Sequence, residues 1–383
     1  MRQSAVTFNA HVNYVNLSEL LAEARRLNPT TLLAYIDQGG EDSANPEHPV
    51  RQLQRGLPNT RIFVRVYDQK DSGMHLRPRA DGDLHMTPEA FLAKWGWLGK
   101  EGRTLQVMNE PSGYDFTPEL VVWLQRLIPL AAHLGISIAA PAFAVHHPRL
   151  NAQGDQWVPA FDDLLRLLSA HRQYLSLHEY GPEFAYDARM GRFQAMLSRC
   201  AALGISAPRT QISEWGLDSL PGEPAGNGYK RRGLDGASFA LYLRDQYNRY
   251  YEPYVRSGAV VGLAIFSYGD SGGWHDFNVA SDRDCLDALP DLFLTEGLPS
   301  QMGYAPTVPS TLPANLRAGW APARMVRMPG TSMNIRQAPT VESPVIGSVF
   351  LGSDLEVLDG WAAVRVGNKI GYIYLYDGRV VFE

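Results

Sequence analysis

Two glutamates close apolar runs in this chain: Glu110 in Thr104-Leu-Gln-Val-Met-Asn-Glu-Pro-Ser112, and Glu214 in Arg209-Thr-Gln-Ile-Ser-Glu-Trp-Gly216. A carboxylate set where a buried strand opens into a Gly/Pro loop is costly to keep inside, so it is expected to face a cleft and to do chemistry or hold a ligand there. Two such groups, far apart in sequence, read as an acid and its partner. One would carry a proton to a leaving group and the other would attack or stabilise the centre left behind. The bland alternatives are a chance Asn-Glu-Pro string for Glu110 and, for Glu214, a structural salt bridge with an arginine such as Arg209.

The elements that would position this pair follow from hydrophobic periodicity. Short β-branched or apolar runs alternate with helix-like stretches over the first 290 or so residues, the pattern of a parallel sheet wrapped by helices. Eight runs are expected as strands: Ala5 to Val12, Thr31 to Asp37, Arg61 to Asp68, Thr104 to Asn109, Ser137 to Pro141, Tyr174 to His178, Thr210 to Ser213 and Val260 to Ser267. Between them lie segments such as Leu17 to Leu27, Pro118 to Leu134 and Ala237 to Tyr251 with helical spacing. Eight repeats match a (β/α)8 TIM barrel, which typically takes about 250 residues. A doubly wound sheet would want a Gly-rich phosphate loop after its first strand, and Phe8-Asn-Ala-His-Val-Asn-Tyr14 offers none. In the barrel, the fourth and seventh strands stand nearly opposite one another and their following loops share one mouth. Glu110 and Glu214 would therefore face each other across it.

With that placement the chain resembles the large superfamily of (β/α)8 retaining glycoside hydrolases known as clan A. The resemblance rests on Asn109-Glu110-Pro111 closing the fourth strand, on Ser213-Glu214-Trp215-Gly216 closing the seventh, and on His178-Glu-Tyr180 in the sixth. It implies that Glu110 is the general acid/base and Glu214 the nucleophile, that Asn109 holds a sugar 2-hydroxyl, and that Tyr180 orients Glu214 with His178 beside both carboxylates. Carboxyls about 5 to 5.5 Å apart would retain anomeric configuration, whereas roughly 6.5 to 9.5 Å would invert it. Arg65, on the third strand, is implied as a partner of the nucleophile. Trp274, in the loop after the eighth strand, is the first candidate for an aromatic sugar platform and Trp215 the second. Glu179 alternates to the other face of its strand and is expected to pair with a helix-borne cation. His146 and His147 are sequence neighbours that point apart, so no metal site is expected there. Trp95, Trp97, Trp123 and Trp157 read as packing residues at least as readily as platforms.

The composition changes after the eighth repeat. Pro299, Pro306, Pro309, Pro313, Pro322 and Pro329 punctuate a stretch of little periodicity, so a barrel over 1–296 is expected to be followed by a linker over 297–330. Residues 331–383 then alternate in strand fashion between Gly, Asp and Pro turns, as a small all-β barrel would. This tail resembles a bacterial SH3-like domain through its Asn334-Ile-Arg336 start, Pro344-Val-Ile-Gly347 turn, Trp361-Ala-Ala-Val-Arg365 strand and Gly371-Tyr-Ile373 end. The resemblance implies an accessory role: binding a cell-wall or other polymer, or docking on a neighbouring domain.

Bulk properties narrow the partners. A formal net charge of -5 and 45% hydrophobic residues describe a globular chain with no broad basic field, so neither nucleic acid nor a membrane surface is an expected partner. The only cysteines, Cys200 and Cys285, have no ligand-like spacing and read as free and buried, with no metal and no cofactor expected. The start lacks the long apolar core of a secretory signal, and no run of about 18 apolar residues could cross a bilayer. The chain is expected to be extracellular if a signal peptide has been removed and cytoplasmic otherwise. The leading expectation is a retaining hydrolase of β-linked O-glycosidic bonds in a polysaccharide or oligosaccharide. Two alternatives stand beside it: a non-catalytic carbohydrate or cell-wall binding protein on the same barrel, and a wall-lytic enzyme cutting peptidoglycan strands.

Overall fold

The computed structural model describes residues 3–36, 45–66, 86–110, 118–145, 147–151, 155–181, 190–218, 228–270 and 272–293, followed by the backbone of seven strands between 321 and 382. Its contacts divide the chain into two compact units, Met1–Val308 and Pro309–Glu383.

In the first unit, strands and helices alternate: β1 (Val6–His11), α1 (Leu17–Leu27), β2 (Thr31–Ile36), α2 (Pro49–Gly56), β3 (Arg61–Val66), α3 (Pro88–Trp95), β4 (Arg103–Gln106), α4 (Pro118–His133) and β5 (Ile138–Phe143). They continue with α5 (Asp162–Ala170), β6 (Tyr174–Tyr180), α6 (Arg192–Ala202), β7 (Thr210–Gly216), α7 (Gly236–Gln246), α8 (Glu252–Arg256), β8 (Val260–Tyr268) and α9 (Arg283–Phe293). The eight strands pair in sequence order, all parallel, and β8 returns to β1 to close the ring. The expected (β/α)8 barrel is thus present.

Local chemistry sets many of the boundaries. The Asn16 side chain accepts from the Ser18 and Glu19 amides to start α1, and Asn28 ends it in the left-handed region at φ 46°. Thr87 caps α3 just before Pro88, and the Asp235 carboxylate takes the Ser238 amide at 2.7 Å to begin α7. The α7 helix stops at Gln246, and a π-turn over Tyr247–Tyr251 continues the segment expected as one helix.

Strands buried on both faces explain the near-continuous apolar runs of the sequence. Their outward residues join the helices in one large core that includes Trp95, Trp123 and Trp157. Those three tryptophans are therefore packing residues, and the Trp97 ring has the guanidinium groups of Arg51 and Arg103 within 5.4 and 5.6 Å of its centre. Inside the ring, Leu33, Phe63, Ala139, Tyr174, Val261 and Ala264 form a separate plug, with Phe63 edge-on to Tyr174 at 5.3 Å. Residues two places further along these strands share the inward face and sit above the plug.

Strand ends differ from expectation where the site is built. Regular pairing of β4 stops at Gln106, because Met108 and Glu110 take positive φ values of 58° and 47°, although Asn109 still bridges Ala142 of β5. Conversely, β6 and β7 run past His178 and Ser213 to Tyr180 and Gly216. Their register slips between Leu177 and His178, and β7 slips against β8 between Ile212 and Trp215.

In the second unit, strands β9 (Ala321–Met325), β10 (Ser332–Arg336), β11 (Val345–Phe350), β12 (Asp354–Leu358), β13 (Trp361–Val366), β14 (Lys369–Tyr374) and β15 (Val380–Phe382) form one sheet in the order β11-β10-β14-β13-β12-β9-β15, with antiparallel neighbours. Of the tail segments named above, 334–336, 345–347, 361–365 and 371–373 lie on β10, β11, β13 and β14. The strand β9 falls within the stretch read from its prolines as linker, where Pro322 pairs in register with Glu356 of β12. Among the described residues, no helix is long and apolar enough to cross a membrane.

Candidate active site

Above the interior plug, the polar side chains of β3, β4, β6 and β7 converge. Arg65 lies two residues beyond Phe63 on β3 and is buried. Its Nη1 pairs with Oε1 of Glu214, its Nη2 lies 3.0 Å from Nε2 of His178, and its Nε donates to Oε1 of Gln106 at 3.3 Å. Tyr180, next but one after His178 on β6, donates its hydroxyl to Oε2 of Glu214 at 2.6 Å. Nδ1 of His178 is 2.8 Å from Oε1 of Glu110 and 3.5 Å from Oε2 of Glu214.

A guanidinium carries only donors, so Nε2 of His178 must accept from Arg65, and the ring proton sits on Nδ1 and is donated to Glu110. One imidazole thereby links the two carboxylates, and its tautomer is fixed by the arginine behind it. Oxygens of Glu110 and Glu214 lie within 4.8 Å of each other.

The two acids have contrasting surroundings. The Glu214 side chain is 9% exposed and that of Glu110 46%. Burial pushes the Glu214 carboxyl up, but the positive edge of His178, the charge of Arg65 and hydrogen bonds from Tyr180 and Arg65 outweigh it, holding the group below the ordinary carboxylate range. Tyr180 is driven the other way. Its burial, followed by the charges of Glu214, Glu110 and Asp218, raises the phenol well above its usual value, so it stays a donor.

Glu110, His178 and Glu214 have the ligand-atom spacing of a metal trio. However, the nitrogen of His178 that faces both carboxylates carries the proton and lacks a lone pair to give, and Arg65 already neutralises Glu214. The group fits proton chemistry better than metal binding.

Of the residues singled out in the sequence, Arg65, Glu110, His178, Tyr180 and Glu214 are brought together. Asn109 directly precedes Glu110, and its buried Oδ1 has no hydrogen-bond partner among the described residues. Trp274 is 39% exposed. It stands edge-on to Phe266 at 5.2 Å, and Phe266 in turn is edge-on to Tyr180 at 6.0 Å. Trp215 belongs elsewhere. It is fully buried, packed edge-on against Tyr251 and Phe293 in the helix layer, because the residue after an inward Glu214 points out of the barrel.

Glu179 has more partners than the expected helix-borne cation. It faces outward, and its carboxylate accepts from the Gly191 and Phe193 amides at the start of α6 (2.6 and 3.2 Å) and from the Tyr251 hydroxyl at 2.5 Å, while the charge of Arg192, borne on the same helix, also acts on it. The N-terminus of α6 adds its positive end to that charge. Burial nevertheless pushes this carboxyl up to about 7, against those hydrogen bonds and the charge of Arg192. His147 is described and His146 lies outside the described residues.

The sequence reading missed the support beneath the acids. Gln106 holds Nε of Arg65, and Oγ of Ser213 lies 3.4 Å from Nε2 of Gln106 and 3.5 Å from Nη2 of Arg65. Asn9 of β1 donates to the Ser213 carbonyl at 3.2 Å. Each is a polar residue inside an apolar strand run, and that interruption was the available signal.

No family model matches the chain, and no curated protein matches it. Solved structures with a similar fold include a beta-1,3-glucanase and allergen of Cryptomeria japonica pollen, with 14% identity, coverage of 72% of this chain and 95% of that one, and a TM-score of 0.42. An endocellulase from Pyrococcus horikoshii in complex with cellotetraose has 13% identity, coverage of 76% and 92%, and a TM-score of 0.41. N2152 from Neocallimastix frontalis has 12% identity, coverage of 100% and 96%, and a TM-score of 0.45. The barrel assignment itself rests on the closed parallel strand order of the chain.

Proposed function

We propose that the chain is a retaining glycoside hydrolase that cleaves β-linked O-glycosidic bonds in a polysaccharide or oligosaccharide by double displacement. The observation that carries this reading is the unequal pair of acids: a buried Glu214 held ionised by Arg65 and Tyr180, and a solvent-facing Glu110 with an oxygen within 4.8 Å of it. That spacing favours retention, since inversion needs room for a water between the carboxyls at roughly 6.5 to 9.5 Å.

In the first step Glu110 gives its proton to the glycosidic oxygen as the C–O bond breaks, while a Glu214 oxygen bonds to the anomeric carbon. In the second, Glu110 takes a proton from water as that water attacks the same carbon and frees Glu214. The open acceptor of Asn109 suits a donor such as the sugar 2-hydroxyl, whose hydrogen bond would tighten in the transition state. Trp274 offers an apolar face for a sugar ring. The tail, read as an SH3-like module, would keep the enzyme on a polymer.

The test is release of reducing sugar from a panel of β-linked glycans, followed by NMR of the first-formed anomer. Glu214→Gln is expected to abolish turnover, and Glu110→Ala to slow it by about 10²–10⁴, with much of the loss recovered on substrates whose leaving group needs no proton. An inverted first product, or full turnover by the Glu214→Gln variant, would sink the assignment.

A further inference from the structure

The loop after β8 is built around one carboxylate. Oδ1 of Asp270 accepts from three successive amides, those of Gly272, Gly273 and Trp274, at 2.9, 3.2 and 3.2 Å, and Oδ2 lies 2.5 Å from Nδ1 of His275. Gly272 and Gly273 hold φ values of 90° and 139°, which other residues rarely adopt, so that the chain can curl its amides inward. The base of the loop is clamped separately: Oδ1 of Asn278 accepts from both Gly269 and Ala280 at 2.9 Å, and the Phe277 amide donates to the Trp274 carbonyl at 3.0 Å.

One large ring in this ordered loop remains partly in water. Trp274 is wedged edge-on between Phe266 (5.2 Å) and Phe277 (5.7 Å), yet is 39% exposed. Phe266 touches Tyr180, which holds Glu214, so the ring's place is tied to the proposed nucleophile through two aromatic contacts. A tightly clamped loop that leaves a large apolar ring partly in water is poor packing but a good stacking surface.

We infer that Asp270 is a positioning residue for substrate binding, stapling this loop so that Trp274 is presented as a rigid stacking face for a sugar ring beside Glu214. The inference rests on the glycosidase reading above for its ligand class. Asp270 suits the task because it stays charged across the working range. Burial is the largest single influence and raises its carboxyl, but His275 and the three amides together outweigh it and bring the group down to about 2.

The test compares Asp270→Ala, Asp270→Asn and Trp274→Ala in the full chain, with β-1,4- and β-1,3-linked glucose tetrasaccharides as probes. Acrylamide quenching of the Trp274 emission, taken as the difference from a Trp274→Phe background, reads the loop with no sugar present. Asp270→Ala is expected to change that quenching and to raise KM, or the Kd read by fluorescence, about tenfold with kcat within about twofold. Asp270→Asn keeps an acceptor for the amides and is expected to recover most of the loss. Trp274→Ala should match Asp270→Ala in KM. Unchanged quenching and KM in Asp270→Ala, or a fall in kcat alone, overturns the inference, as does an Asp270→Asn variant as impaired as Asp270→Ala. If the parent chain turns over no glycan the hydrolase reading fails, whereas the quenching and tetrasaccharide binding still decide the role of Asp270.

Discussion

Tyr180 and Glu179 are neighbours on β6, yet they serve opposite sides of the barrel wall. The Tyr180 hydroxyl at 2.6 Å is one of the forces that keep Glu214 ionised despite its burial. Tyr180→Phe removes it, so the Glu214 carboxyl should rise. The proposed nucleophile must be charged, so the acid limb of the kcat/KM profile is expected to move to higher pH. An unmoved limb in that variant would remove Tyr180 from the electrostatics of the site. Glu179 has its carboxyl raised to about 7 by burial. The folded chain therefore keeps a proton over a range where the unfolded chain has lost it. Stability tied to this group is full below the ordinary carboxylate range and is lost as pH rises through 7, by on the order of 3 kcal/mol in total. Denaturant titrations at about pH 5 and about pH 8 should show that part of the decline in the parent and not in Glu179→Gln. At this scale the sequence was informative because alternation sorts His178 and Tyr180 inward and Glu179 outward. It could not show that Glu179 would be met by the first turn of α6, since which helix end abuts a strand is decided by tertiary packing.

Among elements, β7 carries the clearest lesson. Its register slips against both neighbours around Glu214, so Ser213 reaches the arginine from below while Glu214 reaches it from the mouth. Trp215 is then committed to the helix layer, against Tyr251 and Phe293. Trp215→Ala should destabilise the fold by about 3–5 kcal/mol without changing KM for the molecules that remain folded. A raised KM at full stability would return Trp215 to the substrate site. Periodicity located every barrel strand to within a few residues. It did not mark the early end of regular β4 pairing at Gln106 or the extra turns of β6 and β7, because backbone excursions such as the positive φ of Met108 and Glu110 leave no hydrophobic signature. That Trp215, the second platform candidate, faces the helix layer follows from the same alternation rule applied one residue beyond Glu214.

At the scale of the whole molecule, the chain separates into a ring and a sheet. The boundary between the two units in sequence follows Val308, and a chain of residues 1–308 is expected to unfold cooperatively on its own and to turn over soluble glycan within about twofold of the full chain. Retention on an insoluble wall polymer, measured by sedimentation, is expected to need residues 309–383. Failure of the shorter chain to fold would mean the ring depends on the tail.

The ring also has a history. β1 can pair with β2 once Ile36 has been synthesised, but its other neighbour, β8, ends only at Tyr268. At ribosomal speeds the interval lasts on the order of tens of seconds. For all that time the growing sheet has two bare edges able to recruit strands from other chains, and the last barrel strand removes both at once. A nascent chain stalled just before β8 is therefore the species most exposed to aggregation and most in need of a chaperone.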